Sequence, residues 1–198
     1  MMFMKSIAVL LSYFIGNFST SMIVSKLWAN IDIRKYGSGN AGSTNVLRTL
    51  GFKPALVTFI GDALKGILAV WIGGKLGGTD TALLCGIAAI IGHNWPVLFG
   101  FKGGKGIATS IGVGLAVNQI VAFICIALGI MIVVKTKYVS LGSITAISLL
   151  PILFIFSGFK YFLFGLVLAL MAIFQHRQNI QRLLKGTESK IGQKSRTR

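Results

Sequence analysis

Three short polar segments contain most of the side chains in this sequence that could do chemistry. They span residues 37–48, 92–106 and 176–190, and they collect Gly, Asn, Lys, Arg and His between long apolar runs. Packing does not readily explain glycine-rich polar sequence in such apolar surroundings. We therefore expect the chemistry of the protein to lie in these first, second and third segments.

The first segment has the composition of an anion-binding loop. Its glycines allow backbone N–H groups to form a concave nest, and Ser43 or Thr44 could cap a following helix. Arg48 could then reach an anion about one turn further on. A flexible loop at the lipid headgroups explains a Gly/Ser/Asn stretch equally well, but the arginine favours phosphate binding. The candidate phosphate ligands here are Gly39, Asn40, Gly42, Thr44 and Asn45.

The second segment ends in a glycine–lysine loop, residues 102–106, just before a predicted helix. Backbone donors, a helix N-terminus and two lysines could converge there on a phosphate. Gly106 follows Lys105 where a Walker A loop requires Ser or Thr, so hydrolysis of the P-loop kind is disfavoured. A loop obeying the positive-inside rule would explain the lysines but not the four glycines. The candidates are Lys102, Gly103, Gly104, Lys105 and Gly106, with His93 as a supporting residue that is more often an interior hydrogen-bonding group.

The third segment is predicted to continue a membrane span as a basic amphipathic helix that ends at Gly186. His176 and Asn179 are three residues apart and share a helix face. A helix lying on anionic lipid explains the arginines and leucines, but neither this pair nor Glu188. We expect Glu188 to anchor a Lys or Arg, with Arg182 as a supporting candidate. The predicted buried stripe is Ile180, Leu183 and Leu184.

Two opposite charges, Asp62 and Lys65, lie inside the second apolar run. Charged residues within a membrane are functional by default. A mutually neutralising i,i+3 pair that locks helix packing is an equally good interpretation. A direct role toward substrate and a structural role therefore both stay open.

Composition indicates a protein with several membrane spans. The chain has 198 residues, of which 54% are hydrophobic and 12% charged, and its mean hydropathy is +0.79. The net charge of +16 comes from basic residues at the ends of apolar runs, which topology and anionic lipid explain better than nucleic acid. Cys85 and Cys125 are interpreted as small core residues. Two histidines, four acidic residues and these cysteines form no ligand pattern, so no metal or other cofactor is expected.

Six apolar runs are visible, and one of them is too long for a single simple span. They cover about 3–27, 54–72, 82–99, 107–134, 139–156 and 159–174. Asn118 and Gln119 interrupt the fourth run, which predicts two helices there and seven transmembrane helices in all. An outside N-terminus and a cytoplasmic C-terminus then place most Lys and Arg residues, and all three polar segments, inside. We predict an all-α polytopic membrane protein with one embedded domain, 1–190, and a basic disordered tail, 191–198.

Three blocks, at 37–48, 92–109 and 176–190, together resemble the bacterial acyl-phosphate-dependent glycerol-3-phosphate acyltransferases, the PlsY family. They cover about a quarter of the chain, in the family's order. The first block has Ala41 where the family usually has Pro, which removes no polar group. The resemblance implies a seven-helix enzyme in the bacterial cytoplasmic (inner) membrane, with its active site on the cytoplasmic face.

The resemblance also implies a reaction, in which a fatty acyl group passes from acyl phosphate to the sn-1 hydroxyl of glycerol 3-phosphate. Lysophosphatidic acid and phosphate would be the products, in the first acylation step of phospholipid synthesis. No cofactor or obligate protein partner is implied, and membrane lipid is the only other partner. The catalytic residues it implies are Ser38, Arg48, Lys105, His176 and Asn179, with the glycine–lysine loop binding the phosphate of the acceptor.

Direct transfer in a ternary complex is preferred over an acyl-Ser38 intermediate, because acyl phosphate already carries a good leaving group. His176, His93 or a substrate phosphate oxygen could accept the proton. The rival function is a membrane transporter of phosphorylated anions, since broken helices with glycine loops also build such sites. A lipid-binding scaffold would explain the net charge but leave the glycine loops without a role.

Overall fold

A computed structural model describes residues 2–193 of the chain, and within that range the regular structure is helical. The described residues divide into two units, 2–117 and Asn118–Gln193. The first unit contains the first and second polar segments, and the second unit contains the third.

The first unit is built around one very long helix. Its elements are α1 (Met2–Asn17), α2 (Thr20–Ala29), a 3₁₀ turn (Ile33–Lys35), α3 (Ser43–Leu50), α4 (Phe52–Asn94), a second 3₁₀ turn (Val97–Phe99) and α5 (Ile107–Val117). Helices α1 and α5 both pack closely on α4, where Gly16 lies against Ala89 and Gly112 against Ala63. Small residues at such crossings allow helix backbones to approach closely in an apolar environment.

Helix α4 bends in the middle at Gly78, whose φ of 73° and ψ of −167° are not helical. A residue with a Cβ atom would be strained at this positive φ, whereas glycine adopts it readily. The bend separates two arms of α4. These arms correspond to the second and third apolar runs of the sequence.

The second unit consists of four α-helices in the described residues. They are α6 (Gln119–Thr136), α7 (Val139–Phe154), α8 (Phe159–Gln175) and α9 (Arg177–Leu184), with a 3₁₀ turn at Ile155–Ser157. Helix α7 packs on α6 where Gly142 meets Gly129, and on α8 where Gly165 meets Pro151. Helices α8 and α9 meet at an angle of 62°.

The predicted interruption of the fourth apolar run is confirmed. Helix α5 ends at Val117 and α6 begins at Gln119, with Asn118 between them as the N-cap. The Asn118 Oδ1 atom accepts a hydrogen bond of 3.1 Å from the Val121 N–H. An asparagine in this position ends one helix and starts the next, because its side chain satisfies a first-turn donor.

Within residues 2–193, four helical stretches are long and apolar enough to cross a bilayer, and α8 with α9 makes a fifth if the bent pair counts as one span. The four are 2–29, 52–99, 119–136 and 139–157, whereas α5 is a shorter apolar helix. The count of seven spans and the orientation of the termini remain predictions. Of the predicted tail, residues 194–198 lie outside the described part of the chain, and the Ile191 N–H donates to the Lys137 carbonyl at 2.8 Å.

Candidate active site

The first segment forms a loop that a single side chain shapes from within. Asn45 is only 2% exposed, and its Oδ1 atom accepts a hydrogen bond of 2.9 Å from the Ser38 N–H. Its Nδ2 group donates to the carbonyls of Ile33 at 3.1 Å and Tyr36 at 3.0 Å. All three bonds fold residues 33–38 around the start of α3. Asn45 therefore braces the loop, together with backbone bonds from Gly39 to Tyr36 and from Gly42 to Asn40, each of 3.0 Å.

Helix α3 begins differently from the prediction. Gly42, in an extended conformation, is the N-cap, and no side chain caps this helix. The expectation that Ser43 or Thr44 caps it is wrong, because both residues already lie within the first helical turn. Arg48 lies in the last turn of α3 and is half-buried, while Ser38 is exposed in the loop.

Two charged residues that the sequence argument passed over connect the first segment to the second. Asp32 and Arg34 form an ion pair of 2.9 Å, and the Arg34 Nη1 group donates to the Phe99 carbonyl at 3.2 Å. The Arg34 side-chain hydrogen bond holds the pKa of Asp32 below its ordinary value. The available signal was the Asp-x-Arg spacing, since Asp32 also caps a turn by accepting the Arg34 backbone N–H.

The second segment folds its glycine–lysine loop back onto the end of α4. The Gly104 N–H donates to the His93 carbonyl at 3.0 Å, and Gly104 also lies against the Ala41 carbonyl. A Cβ atom on Gly104 would overlap the His93 ring, so no larger residue fits there. The loop leads directly into α5, whose first-turn N–H groups form a natural anion site. The structure thus brings the first and second segments together within one unit.

Asn94 is a further polar residue at this loop that sequence reasoning missed. It is 2% exposed, and among the described residues neither of its amide atoms has a hydrogen-bond partner. A Cβ atom on Gly106 would lie 2.8 Å from the Asn94 Oδ1 atom. Only its position beside His93 in the sequence could have suggested it.

The charges inside α4 form a buried cluster. Asp62 and Lys65 are 1% and 6% exposed, and Lys65 Nζ lies 2.7 Å from Asp62 Oδ1. Lys65 Nζ also lies 2.8 Å from His93 Nδ1, and Thr20 donates to Asp62 at 3.1 Å. The predicted i,i+3 pair is confirmed as a contact, and His93 is the interior hydrogen-bonding group that was expected.

The third segment places His176 at the bend between α8 and α9. His176 is 3% exposed, and its Nδ1 atom lies 2.8 Å from the Ala172 carbonyl oxygen. A carbonyl can only accept, so neutral His176 carries its proton on Nδ1 and its lone pair on Nε2. Asn179, 5% exposed, lies on the same buried side of α9. The predicted shared face is confirmed.

Glu188 lies at the centre of a cluster of hydrogen bonds that holds the third segment together. Its carboxylate accepts hydrogen bonds from Asn179 at 2.6 Å, Arg182 at 2.7 Å and Ser140 at 2.8 Å. The expected anchoring of a basic residue is confirmed. Burial raises the pKa of Glu188, but the three hydrogen bonds outweigh it, so the pKa lies below its ordinary value.

The predicted apolar stripe on α9 is wrong at Leu184, which is 83% exposed. Ile180 and Leu183 are only partly buried. The buried side of α9 is taken by Asn179, and Leu184 lies about 140° further round the helix at 3.6 residues per turn. Polar contacts to Glu188, rather than leucine packing, set the orientation of this helix.

Residues 2–193 contain no group of three His, Cys, Asp or Glu side chains placed to hold a metal ion. The candidate site residues instead fall into two sets, one in each unit. The first unit contains Ser38, Gly39, Asn40, Gly42, Thr44, Asn45, Arg48, Asp62, Lys65, His93, Lys102, Gly103, Gly104, Lys105 and Gly106, and the second contains His176, Asn179, Arg182 and Glu188.

Comparison with known proteins assigns this arrangement to a family. The family model described as glycerol-3-phosphate acyltransferase matches residues 6–186. The chain belongs to the glycerol-3-phosphate acyltransferase family. A glycerol-3-phosphate acyltransferase of Alkaliphilus metalliredigens is 59% identical over 189 residues, covering 96% of this chain and 97% of the relative. One of Clostridioides difficile is 52% identical, covering 95% and 96%.

Two solved structures of a family member also match. Both are crystal structures of PlsY (YgiH), an integral membrane glycerol 3-phosphate acyltransferase, in its glycerol 3-phosphate and lysophosphatidic acid forms. The first has a TM-score of 0.90 and 38% identity, covering 95% of this chain and 96% of that one. The second has a TM-score of 0.88 and 37% identity, covering 95% of each. This acyltransferase therefore shares the helical architecture of PlsY.

Proposed function

We propose that this chain is an integral membrane enzyme that acylates the sn-1 hydroxyl of glycerol 3-phosphate, using acyl phosphate as the donor. The observation that best supports this proposal is the contact between the first and second segments, where Gly104 lies against the Ala41 carbonyl just before α5. This arrangement concentrates backbone donors and basic side chains, as a phosphorylated substrate requires. Membership of the glycerol-3-phosphate acyltransferase family supports the acceptor, and the lysophosphatidic acid form of PlsY supports the product.

The reaction requires little covalent chemistry from the protein. The acceptor hydroxyl oxygen attacks the acyl carbonyl carbon, an ester C–O bond forms, and the anhydride C–O bond breaks. Inorganic phosphate leaves with the electron pair, and the hydroxyl proton passes to a base. Orientation of the two substrates and stabilisation of developing negative charge then supply most of the rate enhancement.

The first unit is proposed to supply the phosphate-binding groups. The glycine–lysine loop binds the acceptor phosphate through its backbone and through Lys105, with Lys102 nearby in the same loop. Arg48 and Ser38 bind substrate phosphate and stabilise the negative charge that develops at the carbonyl oxygen. Asn45 shapes the first segment from beneath, because its amide is already engaged with Ser38 and two carbonyls.

The second unit is proposed to supply His176 and Asn179. The tautomer of His176 suits a proton acceptor, since the bond to Ala172 places its lone pair on Nε2. Glu188 orients Asn179 and Arg182. A phosphate oxygen of a substrate is the alternative acceptor. Retention of activity in a His176→Asn variant, with an unchanged pH–rate profile, would assign the proton to substrate phosphate.

The proposed topology has seven spans, an outside N-terminus and a cytoplasmic C-terminus, with the active site on the cytoplasmic face of the bacterial inner membrane. The interruption at Asn118 and the bend at Gly78 support this count, because each divides a long apolar stretch in two. The positive-inside rule supports the orientation. Labelling of single cysteines from either side of sealed vesicles tests both.

The first experiment compares wild type with Lys105→Ala in lipid nanodiscs, given acyl phosphate and radiolabelled glycerol 3-phosphate. We expect lysophosphatidic acid that depends on acyl phosphate, and a loss of about 10²–10³-fold in rate for Lys105→Ala, as for removal of one charge-stabilising donor. Lys75→Ala is the matched control, because it removes an equal charge from an exposed position outside all three segments. Uptake of intact glycerol 3-phosphate into vesicles without ester formation would instead support the transporter.

A further inference from the structure

Three hydrogen-bond acceptors surround the ammonium group of Lys65, one for each of its N–H protons. Its Nζ atom lies 2.7 Å from Asp62 Oδ1, 2.8 Å from His93 Nδ1 and 2.9 Å from the Phe18 carbonyl oxygen. A lysine ammonium carries three N–H donors and no acceptor. Each proton therefore has one partner, inside a site where Asp62, Lys65 and His93 are all buried.

This arrangement determines the protonation of His93. An ionised Asp62 in a buried site requires the positive charge of Lys65, because an unpaired buried charge is costly. An ammonium group can only donate, so His93 Nδ1 must accept its hydrogen bond. Neutral His93 consequently carries its proton on Nε2. The other histidine, His176, has the opposite tautomer, since its Nδ1 atom faces a carbonyl.

The Nε2 edge of His93 lies against the phosphate-binding loop. A Cβ atom added to Gly104 would overlap His93 Nε2 and Cε1. On the backbone side, the His93 carbonyl accepts the Gly104 N–H at 3.0 Å. His93 thus contacts the same loop residue through both its ring and its main chain, and the opposite end of its ring is hydrogen-bonded to Lys65.

We propose that Asp62, Lys65 and His93 are positioning residues for the glycine–lysine loop: the buried ion pair holds His93 as its Nε2–H tautomer, and that ring edge holds Gly104 in place. This inference rests on the proposed function, in which the loop binds the phosphate of glycerol 3-phosphate. It removes His93 from the candidate bases, because its Nε2 atom has a proton rather than a lone pair. It also gives the intramembrane charges a role beyond helix packing.

The tautomer can be measured without an assay. The chain has two histidines, so in a His176→Asn variant labelled with ring-¹⁵N histidine only His93 gives a signal. We expect a protonated Nε2 and an unprotonated Nδ1 in nanodiscs near neutral pH. The double variant Asp62→Leu, Lys65→Met removes both charges without leaving one unpaired, and we expect it to lose this single-tautomer signal. A proton on Nδ1, or an unchanged signal in the double variant, would overturn the proposal.

The kinetic test separates positioning of the loop from general stability. Glutamine keeps a donor near the Nε2 end of the ring, whereas asparagine reaches only the Nδ1 end. We expect His93→Gln to keep the KM for glycerol 3-phosphate within about threefold of wild type. We expect His93→Asn and the double variant to raise it about tenfold, or about 1.4 kcal/mol, with kcat little changed.

The matched control is Thr58→Val, which removes a buried hydroxyl of α4 that donates to the Pro54 carbonyl at 2.8 Å. Its KM should equal that of wild type. A folded double variant with the wild-type KM would show that the charges only lock helix packing. If wild type itself forms no product, the proposed function fails, while the ¹⁵N signals still decide the tautomer of His93.

Discussion

The two units brace their polar segments with different chemistry. In the first unit, the neutral amide of Asn45 holds the loop, accepting one backbone N–H and donating to two carbonyls. In the second unit, the carboxylate of Glu188 accepts from Ser140, Asn179 and Arg182. Both side chains are almost fully buried, with exposures of 2% for Asn45 and 6% for Glu188.

The difference follows from the groups that each brace must satisfy. A bent backbone loop presents both N–H and C=O groups, and only an amide can donate and accept. The third segment presents side-chain donors alone, and an ionised carboxylate is a pure acceptor. A neutral brace also adds no negative charge to the first segment, which favours anion binding there. The carboxylate, in contrast, makes the third segment sensitive to acid.

The largest effect is expected when the amide of Asn45 is replaced by a carboxylate. Asn45→Asp removes both donated hydrogen bonds and places an acid where two carbonyl oxygens face it. We expect a loss of about 3–5 kcal/mol in the free energy of unfolding, the cost of an uncompensated buried charge, and loss of acyltransferase activity. Chemical unfolding in detergent micelles and the product assay measure the two effects.

Asn40→Asp is the matched control for stability, because it makes the same change in the same loop at a partly exposed side chain. We expect it to change the free energy of unfolding by less than about 0.5 kcal/mol, as is usual for surface positions. Equal losses in the two variants would show that Asn45 does not brace the loop.

The acid sensitivity of Glu188 should be measurable directly. Its folded pKa lies below the ordinary value of 4.5, so its hydrogen bonds stabilise the protein above that pH, and the stabilisation is lost as pH falls through the folded pKa. We expect the free energy of unfolding of wild type to exceed that of Glu188→Gln by about 1.5–3 kcal/mol at neutral pH, the range for hydrogen bonds to charged groups. The gap should close below pH 4.5.

Asn45→Ala provides the contrast, because an amide does not titrate in this range. Its deficit relative to wild type should be the same at neutral and acidic pH. A deficit that closes in acid for both variants would mean that the pH dependence comes from groups other than Glu188.

The sequence predicted the parts of this molecule that depend on local spacing. His176 and Asn179 share a face because they are three residues apart, and Asp62 meets Lys65 for the same reason. The interruption at Asn118 was visible as polar residues in an apolar run. The anchoring role of Glu188 followed from its being the only acid in its region.

Features that depend on the path of the backbone were not predictable in this way. The cap at Gly42 was missed because Ser43 and Thr44 are better capping residues by type, and only the entry angle of the chain excludes them. The exposure of Leu184 follows from the contacts of Asn179 and Arg182 with Glu188, which set the orientation of α9. The contact of His93 with Lys65 joins residues 28 apart along one bent helix, which no periodicity reveals.

The smallest expected effect concerns Asp32 and Arg34, the exposed ion pair whose arginine reaches the second segment at Phe99. The Asp32 side chain is 29% exposed and that of Arg34 is 28% exposed, so water screens the 2.9 Å contact. Asp32→Asn keeps an oxygen to cap the turn at Arg34 but removes the charge. We expect a loss of about 0.2–1 kcal/mol in thermal unfolding, decreasing with added salt, as for surface ion pairs. A loss as large as that of Asn45→Asp would mean that charge, and not the donor and acceptor balance of the loop, holds the first segment in shape.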